Sequence, residues 1–154
     1  MNSNWNRWIF ASISKHFVAH KDNLVMYVEG QEKANGSPTY AEVRYTGPAA
    51  KQITKTRFRL EVIVNVLLNC VKDNDNHKIF RMCGTVEKAF EPCIPVYKLG
   101  NGVDDNPNEH IGDLYLILNG NRDIETSHFG QPDPAVKIMQ STVEGNYRVE
   151  LDDI

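Results

Sequence analysis

The chain has 154 residues, 41% hydrophobic and 24% charged, and its 17 Lys+Arg against 20 Asp+Glu leave a net charge of −3. That balance excludes a mainly disordered chain and a strongly basic nucleic-acid binder, and it fits one soluble globular domain over 1–154. The three cysteines, an odd count without Cys-x-x-Cys spacing, argue against a disulfide-stapled secreted module and exclude a zinc ribbon.

Trp5, Trp8, Ile9, Ile13, His16, Phe17 and His20 recur at three- and four-residue steps and predict an amphipathic first helix. Asn4 or Ser3 is expected to cap it. Leu24–Val28 predicts a short strand, Gly30–Pro38 a loop, and Tyr40–Thr46 a second strand ending at Gly47-Pro48. Residues 51–56 are polar.

Arg57–Leu68 gives the clearest strand signal. Phe58, Leu60, Val62, Val64, Val66 and Leu68 face one way. Arg57, Arg59, Glu61, Ile63, Asn65 and Leu67 face the other, and the apolar residues on both sides of its second half predict a central strand covered twice. A second helix, capped by Asp75 and stopped by Pro92, is predicted from the stripe Ile79, Phe80, Met82, Cys83, Val86 and Phe90.

Cys93–Tyr97 reads as a strand that Pro95 confines to an edge or bulge. A loop follows over Gly100–Glu109, then a strand over Ile111–Leu118, a turn at Asn119-Gly120 and an extended stretch over Asp123–Phe129. The last strand, Val136–Leu151, is expected to bend at Gly145 and there switch its inward residues from even to odd numbers. The predicted class is α+β: a mostly antiparallel sheet with two helices packed on one face. No apolar run approaches the roughly 20 residues of a spanning helix, so neither a membrane segment nor a secretory leader is expected.

No catalytic signature emerges. His16-x-x-x-His20 has metal-chelating spacing but lacks the Glu of a zinc-protease motif, and it reads as packed or edge histidines. Asp73-x-Asp75-x-His77 and the 104–109 acidic run fail the calcium-loop pattern at its Gly and Glu positions. No metal, cofactor or catalytic residue is therefore assigned. The local basic cluster is Lys51, Lys55, Arg57 and Arg59, and the chain ends in the acidic run containing Asp152 and Asp153. These six residues are the candidate partner contacts, with the acidic tail of one copy expected on the basic patch of the next.

Four stretches carry a resemblance. Trp5–Phe17, Ala41–Pro48 with Arg59–Leu68, Ser127–Pro134, and Gln140–Leu151 are similar to segments of small virion proteins of long-tailed bacteriophages. The layout resembles the tail terminator (tail completion) proteins. The resemblance implies a structural protein without enzymatic activity: a homohexameric ring that caps the tail tube and joins it to the head. Its implied partners are further copies of itself, the tail tube protein and a neck or head-completion protein. DNA would pass through the lumen without specific binding. The implied location is the virion tail or neck, after synthesis in the host cytoplasm. No site residue carries over from the family. The alternatives are another neck or tail-tube component, or a small α+β enzyme or ligand-binding protein built around His128 with Glu125 or Asp133.

Overall fold

The tryptophan stripe forms α1, Trp5–Ala19, in a computed structural model that describes residues 1–29, 39–71, 77–100, 102–118, 123–133 and 138–153, with backbone only for 130–133. Trp5, Trp8, Ile9, Ile13 and Phe17 are buried, as their spacing requires. Asn4 occupies the N-cap position without making a side-chain cap bond; its Oδ1 accepts instead from the Arg7 guanidinium at 3.0 Å.

After α1 come β1 (Met26–Val28), β2 (Tyr40–Gln52), β3 (Arg57–Val71), α2 (His77–Ala89), β4 (Cys93–Lys98), β5 (Asn106–Leu116), β6 (Ile124–Asp133) and β7 (Ile138–Asp152). The strands form one sheet in the order β1-β2-β3-β7-β5-β4, with β6 also paired to β7. The pairings are antiparallel except β1 with β2. The architecture is α+β. The expected cap at Asp75 and turn at Asn119-Gly120 lie outside the described residues.

β3 is the spine. It pairs with β2 on one side and with β7, from Arg57↔Asp152 to Val71↔Ile138, on the other. Leu60, Val62, Val64, Val66 and Leu68 are buried beneath the helices together with Ile79, Met82, Cys83, Val86 and Phe90. A fully buried aliphatic side chain contributes about 1.5–3 kcal/mol, so this row supplies much of the fold's cohesion.

Four expectations are corrected. β3 is covered on one face only: among the described residues both helices pack on the inner side, and Ile63 on the other face is 36% exposed. A continuous apolar run is therefore not proof of two covers, because a bare sheet face tolerates scattered apolar residues between charges. β2 does not stop at Gly47-Pro48. It crosses a cis Gly47–Pro48 peptide, shifts register between Thr46 and Ala49, and continues to Gln52. Gly47 has φ +106°, and a Cβ there would lie 2.9 Å from the Glu61 carbonyl oxygen, so this bulge requires glycine.

β7 keeps one register through Gly145, and Met139, Ser141, Val143, Tyr147, Val149 and Leu151 all point inward. Gly145 marks a close approach rather than a phase switch. A Cβ there would lie 2.8 Å from the buried Phe90 ring, which packs directly on the strand. Finally, Phe80 leaves the predicted apolar stripe of α2 and is 53% exposed.

Pro95 does lie on an edge strand, as its missing N–H demands. No helix among the described residues is long and apolar enough to cross a membrane.

Candidate interaction site

The candidate contacts gather at one end of the outer sheet face, because β3 and β7 run side by side with Arg57 opposite Asp152 and Arg59 opposite Glu150. Arg57 donates from Nε to Glu150 Oε2 at 3.1 Å and from a terminal nitrogen to Asp152 Oδ1 at 3.2 Å. Arg59 donates to Glu150 Oε1 at 3.1 Å. One step along, Arg148 donates to Glu61 Oε1 at 2.8 Å, and further on Asn65 donates to Glu144 Oε2 at 3.2 Å. The two guanidiniums hold the Glu150 carboxyl below its ordinary range, and Glu150 and Asp152 raise Arg57.

These bonds hold the candidate charges within one chain and do not bear on the expected contact between copies. The acidic tail and the Arg57–Arg59 patch neutralise each other within one chain, as cross-strand neighbours. Asp153 is also used internally, with the terminal amino group of Met1 at 3.0 Å. Lys51 lies opposite Arg59 on β2, and Lys55 lies in the hairpin between β2 and β3. Both are exposed, and among the described residues neither forms an ion pair.

The His128 alternative does not converge. Strand alternation sends His128 inward, opposite Ser141, and Glu125 outward, opposite Glu144. The His128 imidazole meets the buried Ser141 hydroxyl across 2.6 Å and packs edge-on against Phe80. The side chain of Asp133 lies outside the described residues.

Two features escaped the sequence reading. The first is a carboxylate hub at Asp105. Its side chain is 1% exposed and accepts from both Arg7 terminal nitrogens, from Trp8 Nε1 at 2.7 Å and from the Gly102 N–H at 2.7 Å. Those donors hold its carboxyl far below the usual range. Arg7 and Trp8 fall on adjacent faces of α1, but nothing local in the sequence says that an acidic loop nearly a hundred residues away closes on them.

The second is the free edge of β6. Among the described residues this ten-residue strand pairs with β7 alone. Phe129 on it is 60% exposed, and the exposed Phe80 ring of α2 stands against its His128. The signal available in the sequence was the extended run 123–129, whose period-two reading shows a strand but not which of its sides goes unpaired.

None of the three cysteines is in a disulfide: Cys70 and Cys83 are buried and Cys93 is exposed, and burial raises the Cys83 thiol. Cys83 thus packs as the small core residue its place in the helix stripe implied.

No protein family matches the chain, and no curated protein matches it. A solved protein chain shares the fold with a TM-score of 0.56 at 12% identity, covering 94% of this chain and 94% of its own. At that identity the likeness concerns fold alone.

Proposed function

We propose that the chain is a structural assembly subunit, a tail terminator that forms a closed ring on a phage tail tube and joins the tube to the neck. The observation carrying the reading is the edge of β6, which among the described residues pairs through its backbone with β7 alone, with Phe129 and Phe80 exposed beside it. An open edge of this length is an association template, and proteins that stay monomeric blunt such edges with short strands, charges or covers. Among the described residues the other edge strands are shorter, β1 with three residues and β4 with six including Pro95, whereas β6 carries its own proline, Pro132, only near its end and leaves Ile124–Phe129 free of proline.

A ring requires a heterologous contact, in which one surface of a copy meets a different surface of the next and the rotation closes. The β6 edge supplies one such surface, and the exposed lysines of the β2–β3 hairpin supply a charged one elsewhere on the sheet. The resemblance to tail terminators comes from the four sequence stretches named above and gives this assembly reading its particular form.

Negative-stain electron microscopy of the purified chain, alone and mixed with tail tubes, tests the proposal. Closed rings with a lumen, or caps on tube ends, are the expected images. A chain that stays monomeric, leaves tube ends bare and gains thermal stability from small molecules would instead belong to the ligand-binding class.

A further inference from the structure

His16 and His20 lie one turn apart at the end of α1, and their rings are 4.2 Å between centroids. The fold brings them a third donor that sequence spacing does not contain: Glu91, in the turn between α2 and β4. One ligand atom from each of the three residues lies within 4.8 Å of the other two. We propose that His16, His20 and Glu91 bind a divalent transition-metal ion of the Zn2+ class. The inference stands independently of the assembly reading.

Both imidazoles are already oriented. A His16 ring nitrogen meets the Ala89 carbonyl at 2.8 Å, and His20 Nδ1 meets the His16 carbonyl at 2.7 Å. A carbonyl accepts only, so each of these nitrogens carries the proton, and in the neutral ring the other nitrogen carries the lone pair. Metal-bound histidines are oriented in this same way by backbone acceptors. On His20 the remaining nitrogen, Nε2, faces Glu91 Oε1 at 3.2 Å. That contact is satisfied either by a proton on Nε2, which makes an imidazolium–carboxylate pair, or by a metal ion shared between the two atoms, so the metal and the proton compete for one position.

The Glu91 backbone is held as well, since Tyr147 donates its hydroxyl to the Glu91 carbonyl at 2.8 Å. The end of α1 also presents the negative pole of the helix dipole, which favours a cation at that spot. Two imidazoles and one carboxylate suit zinc, nickel or copper and not calcium or magnesium. Three protein donors leave a fourth tetrahedral position for water or for a group from a neighbouring molecule. The ion would tie the end of α1 to the turn after α2.

Thermal unfolding of the purified chain in increasing Zn2+, with Mg2+ as the control, tests the site. At a hundredfold excess over Kd, Zn2+ should raise Tm by roughly 5–10 °C, saturating at one ion per chain, and Mg2+ should not. His20→Gln and Glu91→Gln change exposed side chains, and each should weaken Zn2+ binding at least tenfold by calorimetry on the folded variant. Cys93→Ser should keep the full rise. No rise in the unmodified chain overturns the proposal. A rise that survives both Gln variants, or one that disappears in Cys93→Ser, puts the ion elsewhere and overturns it equally.

Discussion

Two ionic clusters each join parts of the chain nearly a hundred residues apart, and they differ in what they do. At Asp105 the carboxylate is 1% exposed and takes donors from α1 and from its own loop. At Arg57 the guanidinium is 42% exposed, and its partners Glu150 and Asp152 are 33% and 47% exposed. The Arg57 cluster has the more obvious charge pattern in the sequence. The Asp105 cluster has the more demanding environment: a carboxylate withdrawn from water must be fully hydrogen-bonded, whereas an exposed pair trades protein contacts for water at little net gain. Withdrawal from water, not the number of charges, decides which cluster the fold depends on.

The largest expected effect comes from Trp8, which is buried and also donates to Asp105. Trp8→Ala should cost about 3–5 kcal/mol in urea unfolding, through the lost aromatic volume and the orphaned carboxylate. An effect below about 1 kcal/mol would break the contrast between the clusters, since that is the scale of exposed ion pairs.

Next is acid sensitivity. The Asp105 carboxyl is depressed in the folded chain from an ordinary value of 3.8. The unfolded chain therefore takes up this proton first as pH falls, so the stabilisation is complete above that value and is lost progressively below it. Asp105→Asn should be less stable than the unmodified chain at neutral pH, and the gap should narrow on acidification below about pH 4. Urea midpoints across that range check this; a constant gap would contradict it.

The smallest effect belongs to the outer ladder. Glu61→Gln removes the charge facing Arg148 across exposed strands and should change stability by less than about 1 kcal/mol, with the difference fading at high salt. Urea unfolding at two salt concentrations decides it.

Legibility in the sequence followed locality. The α+β class, the buried face of β3, the α1 stripe and the edge position of Pro95 were all readable, because each rests on a repeat of two or 3.6 residues or on a missing N–H. The second cover of β3 was not readable, since alternation shows which residues share a face but not whether anything lies over it. Gly145 resembled a bend because only the fold brings the Phe90 ring onto that strand. The candidate surface was half legible. Arg57 and Arg59 do share a face, but their partners are their own strand neighbours. Asp105 and Glu91, which gather donors or histidines from distant helices, carry no local signature. The free side of β6 depends on the order of strands in the sheet, which spacing along the chain does not encode.

The central claim is that the inner side of the sheet holds the fold while the β6 edge serves assembly. Light scattering coupled to size-exclusion chromatography tests it most directly, on the unmodified chain and on Phe129→Lys. The claim predicts a mass that is a whole multiple of the chain, six copies for the proposed ring, and a shift towards monomer in Phe129→Lys with the urea midpoint unchanged. A monomer at every concentration, or an oligomer indifferent to Phe129→Lys, would contradict it.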